Sequence, residues 1–351
     1  MQSGKTRATV EFPCWERYPR VRDVRTAREW LSFCAKRGLA ANTIDAYGRA
    51  LNDFLGFGGE TAPEQATRHD VAAYLAALRA RPSVRRRNVV KIDSGSTLSN
   101  ATLHQKLTAI RLYFDYLIEE GLRTNNPVGR GRYTPGRSFA RSHERGLIPR
   151  FHKLPWIPTE EQWKAVVEVV KGQPLRTRVM FALGYDAALR REELCRIGIS
   201  DIDPSHRLLR IPAENTKNRR SRSVPFSKPT AELYAAYIRT RRQLSRSPGA
   251  LFLSESRRNL GSPLSIWTWS KAISCIAAKS EVPELTTHTL RHLRLTDLAR
   301  AGWDVHEIAA LAGHRNVQTT MLYIHLSGRE LATKLDVAMA HIHAWRAAVI
   351  A

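Results

Sequence analysis

The sequence predicts a mainly α-helical protein of two domains, the second of which carries a small antiparallel β-sheet. Apolar residues recur at helical spacings over most of the chain. Three short alternating segments, 199–202, 208–211 and 223–226, interrupt this pattern and predict strands. A length of 351 residues is enough for two or three domains, at roughly 100–200 residues each.

The first domain is predicted to consist of helices alone. Residues 1–22 have no periodicity and predict a basic tail. The segment 23–122 predicts four helices, and capping residues mark the start of three of them, at Asn42, Thr67 and Ser99. We therefore expect a four-helix domain over this segment.

The remaining chain divides into a linker, a second domain and a final helix. Residues 123–156 contain four prolines, many arginines and no helical period, which predicts a basic linker. Residues 157–329 predict the second domain, and 330–351 predict an amphipathic C-terminal helix. The helices expected in the second domain lie near 160–171, 176–189, 229–245, 264–280, 289–301 and 304–312.

The charge of the chain points to a polyanionic partner. Its 56 lysines and arginines against 32 acids leave a formal net charge of +24. Nucleic acid is the first candidate, although charge alone leaves an acidic substrate or a membrane surface open. No apolar run approaches the roughly 18 residues of a membrane span, and the N-terminus lacks the pattern of a secretory signal.

Several side chains are suited to phosphate chemistry, although each signal is weak alone. A helical Arg near a Glu is usually a surface ion pair, and a basic hairpin tip is commonly only solvated. An HxxR pattern has many false matches, and a tyrosine between apolar neighbours usually belongs to the core. The side chains concerned are Arg190 with Glu193, Lys217, His288 with Arg291, and His314 with Tyr323.

The order and spacing of these residues are specific when taken together. An R-x-x-E-L segment, a hairpin lysine, H-x-L-R, G-H and a tyrosine nine residues later resemble the tyrosine recombinase (phage integrase) family. The resemblance covers nearly the whole chain. It implies that 23–122 is a helical core-binding domain and that 157–329 is an α+β catalytic domain. Ala188 and Ala312 depart from the Gly-Leu-Arg and Leu-Gly-His patterns common in the family, but the functional residues are kept.

The resemblance also implies a role for each candidate residue. The implied roles are phosphate binding for Arg190 and Arg291, a strand-turn lysine for Lys217, site histidines for His288 and His314, and the nucleophile for Tyr323. These roles agree with the chemistry, because guanidinium groups neutralise the phosphodiester and stabilise its transition state. A tyrosine hydroxyl needs help to lose its proton, so we expect His288 as base and Lys217 as acid for the leaving oxygen.

Further basic residues are expected to contact the DNA backbone. A loop between the third and fourth helices carries consecutive arginines, and more follow Lys217 in the hairpin. The predicted DNA-binding residues are Arg85, Arg86, Arg87, Arg219, Arg220 and Arg222.

The expected function is site-specific recombination through a 3′-phosphotyrosine, without a metal ion, ATP or another cofactor. Type IB topoisomerase activity and non-catalytic, sequence-specific DNA binding are the alternatives. The expected partners are duplex DNA with paired inverted half-sites and three further copies of the chain, with accessory DNA-bending proteins allowed for and no membrane. The expected location is cytoplasmic, at the nucleoid, for a protein of bacterial, phage or mobile-element origin. Integration, excision, dimer resolution and transposition stay open.

Overall fold

The computed structural model describes residues 15–59, 62–82, 97–129, 148, 154–216, 218–326 and 328. It also describes seven residues of the C-terminal stretch, at positions 335, 337, 339, 340, 344, 346 and 349. The chain divides into two compact units, residues 1–152 and 153–351. This division falls inside the predicted linker.

The first unit is helical, as the sequence predicts. Its helices are α1 (Pro19–Asp23), α2 (Arg25–Lys36), α3 (Ala41–Phe57), α4 (Arg68–Ala80) and α5 (Asn100–Glu119). The side chains of Thr67 and Ser99 cap α4 and α5 as expected. The cap of α3 differs, because Ala40 and not Asn42 precedes its first turn, and no side chain caps it.

The predicted basic tail is wrong from Trp15 onward. A single 3₁₀ turn at Trp15–Arg17 leads into α1, and the side chains of Tyr18 and Val21 are buried in the core of the unit. The Tyr18 hydroxyl donates a hydrogen bond to Asp45 of α3. A helix of five residues is too short to show a period, which is why the sequence pattern missed it.

Part of the predicted linker also belongs to this core. Val128 and Ile148 are buried with the apolar residues of the first unit. The Asn126 side chain donates to Asp115 on α5 at 2.7 Å, and its oxygen accepts from the backbone of Val128 at 2.8 Å. Val128 and Ile148 of the linker therefore pack on the first unit, whereas Trp156 packs against the core of the second unit, so the described linker residues are not simply a tether.

The second unit surrounds a three-stranded antiparallel sheet with helices, so the predicted fold class is confirmed. Its elements are α6 (Glu160–Lys171), α7 (Leu175–Asp186), α8 (Arg191–Cys195), β1 (Ile202–Asp203), β2 (Leu208–Ile211), β3 (Arg222–Pro225), α9 (Lys228–Leu244), α10 (Ile266–Lys279), α11 (Thr289–Arg300), α12 (Val305–Ala312) and α13 (Gln318–Leu326). The strand order is β1-β2-β3, with Leu209 opposite both Ile202 and Val224. None of the described helices is long and apolar enough to cross a membrane.

A buried arginine, Arg241, holds the end of α9 against the segment that follows it. Its Nε donates to the carbonyl of Leu251 at 3.0 Å, and its Nη2 donates to the carbonyl of Ala250 at 2.6 Å. The backbone of Leu251 in turn donates to Ile197, the residue that follows α8 by two positions. Arg241 thus stabilises the contact between the end of α9, the segment around Leu251 and the residues that follow α8.

We predict that Arg241→Met lowers the free energy of unfolding by about 3 kcal/mol, because several buried carbonyls lose their donors. Chemical denaturation monitored by circular dichroism measures this loss. Arg242→Met is the matched control, since Arg242 is the exposed neighbour, and it should change stability by less than about 0.5 kcal/mol. Equal losses in the two variants would contradict the assignment.

Candidate active site

The first site arginine, Arg190, follows a strained turn. Ala188 has a φ of +48°, a left-handed conformation that costs a residue with a Cβ roughly 1–2 kcal/mol. This conformation accounts for the glycine that the family commonly has there. The turn ends α7 and places Arg190 directly before α8, with the Ala188 carbonyl directed at Arg291 at 2.6 Å.

The buried carboxylate of Glu193 holds two of the arginines. It accepts from the backbone nitrogen of Arg190 at 2.9 Å and from its Nη1 at 2.7 Å. Its two oxygens also accept from Nη1 and Nη2 of Arg222, at 3.1 and 2.8 Å. Burial alone raises the pKa of Glu193, but the hydrogen bonds and charges of Arg222 and Arg190 outweigh it and lower the pKa to about 2.

Arg222 lies inside the site, which differs from its predicted role as a DNA-binding residue. Its side chain is 10% exposed, and its Nε donates to the carbonyl of Leu311 at 3.0 Å. Because Nε, Nη1 and Nη2 all donate within the protein, the guanidinium is not free to lie along a phosphate backbone. The neighbouring Arg219 and Arg220 are exposed, as DNA contact requires.

Gly313 ends α12 at the point where these groups meet. Its φ of +63° is left-handed, and a Cβ there would stand 2.9 Å from Nη1 of Arg222. Its carbonyl accepts from Nη2 of Arg190 at 3.2 Å and from Nδ2 of Asn218 at 3.1 Å. Both the backbone conformation and the close approach therefore require glycine before His314.

Arg291 and His314 are joined directly. Nη2 of Arg291 lies 2.9 Å from Nε2 of His314, and Nδ1 of His314 lies 2.8 Å from Oγ1 of Thr320. A guanidinium only donates, so Nε2 accepts and the proton of the neutral ring is on Nδ1, from which it is donated to Thr320. Burial and the charge of Arg291 lower the pKa of His314 to about 3, which keeps the ring neutral.

Arg291 itself is buried and surrounded by positive charge. Nη2 also donates to the carbonyl of Ala312 at 2.7 Å. Burial and the charge of Arg190 lower the pKa of Arg291 to about 9. Arg190 and Arg222 bind the carboxylate of Glu193 and Arg291 adds a third guanidinium, so the cluster has more positive than negative charge. Such a site favours an anion.

Tyr323 lies on α13 against this cluster, with its side chain only 3% exposed. Its ring is parallel to that of His314, with 6.1 Å between the centroids and 9° between the planes. Its hydroxyl lies 2.9 Å from Nδ1 of His292 on α11. Burial raises the pKa of Tyr323, although the charges of Arg291 and Arg190 oppose this.

The structure therefore brings together four of the six predicted catalytic residues, Arg190, Arg291, His314 and Tyr323. His288 lies one turn before His292, with 6.2 Å between the two ring centroids. Burial and the charge of Arg291 lower the pKa of His288. Lys217 and the loop residues Arg85, Arg86 and Arg87 lie outside the described residues.

A cavity of about 160 Å³ opens beside His314. Thr216, Asn218, Arg220 and Arg315 contribute to its lining, so the residues on either side of Lys217 face it. Among the described residues, no group of three or more His, Cys, Asp or Glu side chains is arranged to hold a metal ion.

Sequence analysis missed two residues of the site. His292 follows Arg291 and is four residues after His288, so helical spacing alone places the two histidines on one face of α11. The internal role of Arg222 has no local signal, because its partner Glu193 lies 29 residues earlier in the chain.

Comparison with protein families decides the identity. Residues 158–330 match the phage integrase family, and residues 28–121 match the phage integrase N-terminal SAM-like domain. The chain belongs to the tyrosine recombinase (phage integrase) family. The resemblance seen in the sequence is thereby confirmed.

Individual tyrosine recombinases match most of the chain. Tyrosine recombinase XerA of Pyrococcus furiosus is 28% identical over 315 residues, which cover 88% of this chain and 92% of XerA. Tyrosine recombinase XerC of Mycobacterium bovis (strain BCG / Pasteur) is 27% identical over 253 residues, which cover 69% of this chain and 78% of XerC. These relatives make the chain an enzyme of the tyrosine recombinase class. They do not favour the topoisomerase or the non-catalytic alternative.

Solved structures of recombinases share the fold. XerH site-specific recombinase, in a post-cleavage complex with palindromic difH substrate, aligns with a TM-score of 0.65 at 17% identity. That alignment covers 92% of this chain and 87% of XerH. A fragment of the Tn1549 transposon integrase, in complex with a circular intermediate DNA, aligns with a TM-score of 0.62 at 16% identity, covering 85% of this chain and 94% of that fragment.

We predict that Glu193→Gln makes the free energy of unfolding less dependent on pH in the acid range. Because the folded-state pKa of Glu193 is lowered to about 2, its ion pairs stabilise the protein fully above its ordinary pKa of 4.5. This stabilisation is lost as the pH falls from 4.5 towards 2. The wild type should therefore lose up to about 3 kcal/mol more than the variant over this interval.

Urea denaturation at a series of pH values measures the two limbs. Glu192→Gln is the matched control, because it removes a neighbouring charge but no hydrogen bond to Arg190 or Arg222. Its acid limb should follow the wild type. A Glu193→Gln curve parallel to the wild type would contradict the role of the carboxylate.

Proposed function

We propose that this chain cuts and rejoins DNA at specific sites through a covalent 3′-phosphotyrosine on Tyr323. The observation that carries the proposal is the contact of Tyr323 with His314, which Arg291 holds in one tautomer. A buried tyrosine beside such cationic groups is suited to attack on a phosphodiester, whose negative charge the arginines neutralise.

The chemistry balances without an external energy source. The oxygen of Tyr323 forms a bond to phosphorus, the bond from phosphorus to the 5′-oxygen breaks, and the leaving oxygen takes a proton, for which Lys217 is the proposed donor. One phosphodiester replaces another, so the 5′-hydroxyl of a second strand reverses the step without ATP. Arg190 and Arg291 supply the positive charge to the pentacoordinate phosphorus, and no metal ion is required.

The proposed partners extend the site to an assembly. XerH, whose structure is similar, binds a palindromic difH substrate, and this supports duplex DNA with inverted half-sites as the substrate of this chain. Exchange between two duplexes needs four strand cleavages, so we expect four copies of the chain on two DNA sites, with accessory DNA-bending proteins as optional partners. A DNA substrate also supports a cytoplasmic, nucleoid-associated location.

Substitution of the nucleophile tests the chemistry directly. Tyr323→Phe should bind DNA with nearly wild-type affinity, because only a hydroxyl is lost, but it should form no covalent adduct. The substrate is a nicked duplex that carries a binding site selected by the protein from a random-sequence pool. Denaturing electrophoresis separates the covalent complex from free protein. Tyr234→Phe, on α9 away from the cluster around Glu193, is the matched control and should form adduct normally.

Two results would contradict this proposal. An adduct that persists in Tyr323→Phe would remove Tyr323 as nucleophile. Cleavage that stops in EDTA and returns with a divalent ion would indicate a nuclease mechanism, whereas we expect cleavage to persist in EDTA and without ATP.

The C-terminal stretch tests the assembly. Leu335 and Val349 are 56% and 66% exposed in the helical C-terminal stretch. Leu331, Ile342 and Trp345, which share the predicted apolar stripe, lie outside the described residues. We predict that this stripe docks on a neighbouring copy of the chain. Deletion of residues 330–351 should then leave a folded protein that binds one half-site but loses cooperative binding to paired half-sites.

Gel-shift titration with single and paired half-sites measures the cooperativity. Leu335→Ser with Val349→Ser should reproduce the loss, whereas Leu260→Ser, at a position 59% exposed elsewhere in the same unit, should not. The high positive charge predicts a monomer without DNA, which sedimentation at moderate salt can check. Unchanged cooperativity, or a stable tetramer without DNA, would contradict this assembly.

A further inference from the structure

The Tyr323 hydroxyl has a hydrogen-bond partner that the resemblance did not name. Nδ1 of His292 lies 2.9 Å from the hydroxyl oxygen, and the two ring centroids are 5.8 Å apart. Within the described part of the second unit, His292 is the histidine hydrogen-bonded to Tyr323. His288, which was expected as the base, lies one helical turn earlier, at the N-cap of α11.

The helix fixes His292 against the nucleophile. The buried Thr296, one turn later on α11, donates from its hydroxyl to the His292 carbonyl at 2.8 Å. Arg291, the adjacent residue, is held by the carbonyls of Ala188 and Ala312. The position of the His292 ring thus depends on the same helix turn that places the phosphate-binding guanidinium.

We propose that His292 is the base that takes the proton from the Tyr323 hydroxyl. This inference rests on the proposed function and concerns its first step. The proton moves from the Tyr323 oxygen to Nδ1 of His292 as that oxygen bonds to phosphorus and the 5′-oxygen leaves. When the strand is rejoined, His292 returns the proton to the departing Tyr323 oxygen. The proton taken from Tyr323 in the cleavage step is therefore the one returned to it in the rejoining step.

Burial and the groups around His292 keep it neutral until a phosphate binds. The titratable and charged groups near it are Arg291 on α11, His288 at the N-cap of α11 and His314 just after α12. Burial, His288 and Arg291 lower the pKa of His292 to about 4, so the ring is neutral, and its tautomer with the proton on Nε2 has Nδ1 as the acceptor for Tyr323. A phosphodiester bound by Arg190 and Arg291 brings a negative charge that raises this pKa, and the base then becomes stronger where the substrate is present.

On the described elements that pack on α11, the titratable groups do not compete with His292 for the proton of Tyr323. From α13 the facing titratable group is Tyr323 itself. On α7, Tyr185 is engaged elsewhere, since its hydroxyl donates to Asp297 at 2.7 Å and its ring lies under the guanidinium of Arg294. Among the described residues these contacts engage Asp297 farther along α11, so the proton of Tyr323 has His292 as its acceptor.

The test measures the single-turnover rate of adduct formation between pH 6 and 9 on the nicked, selected duplex. The variants are His292→Leu, which removes the acceptor, and His292→Asn, which keeps a polar atom near the place of Nδ1 but is not basic. We expect both to react roughly 100-fold more slowly at pH 7, with unchanged DNA affinity. Their rates should rise about tenfold per pH unit as hydroxide replaces the base, while the wild-type rate stays nearly flat.

Two further variants complete the comparison. His306→Asn, at an exposed position on α12, should react like the wild type. His288→Asn should keep the flat wild-type pH profile, whatever its absolute rate.

Several results would overturn the inference. The first is a wild-type rate in His292→Leu. The second is a flat, wild-type pH profile in His292→Asn, which would show that His292 only positions Tyr323. The third is a rate that rises with pH in His288→Asn but not in His292→Asn. Failure of the proposed function is distinguishable, because the wild type itself would then form no adduct.

Discussion

The site depends on one buried ion-pair cluster, in which the carboxylate of Glu193 binds both Arg190 and Arg222. Glu193 lies on α8 and Arg222 lies on β3, so the carboxylate joins the helix to the sheet. Arg222 extends this connection to α12 through the carbonyl of Leu311. A buried charge is stable only when it is paired and hydrogen-bonded, so loss of one partner leaves the others with an uncompensated charge. The position of Arg190 is therefore set by the fold of the second unit as well as by the short helix that it precedes.

The cluster also determines the charge state of the surrounding histidines. Burial, together with the guanidiniums of Arg291, Arg190 and Arg222, lowers the pKa of His314, and burial, His288 and Arg291 lower that of His292. Both rings are consequently neutral at ordinary pH and offer a nitrogen lone pair. In His314 that lone pair is occupied by Arg291, whereas Nδ1 of His292 lies 2.9 Å from the Tyr323 hydroxyl and is the acceptor in the proposed reaction. The hydrogen-bond partners thus distinguish His314 from His292, a distinction that the sequence alone does not give.

Local chemistry explains which parts of the fold could be predicted. The boundaries of α6 follow from the Thr159 capping box, which needs only contiguous residues, and the expected helix near 160–171 is observed as Glu160–Lys171. The segment 199–202 was expected as a strand but begins with a 3₁₀ turn, Ile199–Asp201, because Asp201 hydrogen-bonds back to the nitrogen of Gly198. The contact of His292 with Tyr323 spans 31 residues. Such contacts form only when α11 and α13 pack, so no local pattern reports them.

The strained turn at Ala188 shows how the fold and the chemistry are connected. A left-handed alanine is unfavourable by itself, yet it allows its carbonyl to accept from Arg291 while the next residues direct Arg190 to Glu193 and Gly313. Gly313 makes the matching turn at the end of α12, where only a residue without a Cβ fits beside Arg222. The two turns therefore place carbonyls that orient the guanidiniums but carry no full charge to neutralise them. Three guanidiniums share one carboxylate, so the cluster keeps a net positive charge, and in the proposed reaction the phosphodiester supplies the balancing negative charge next to Tyr323.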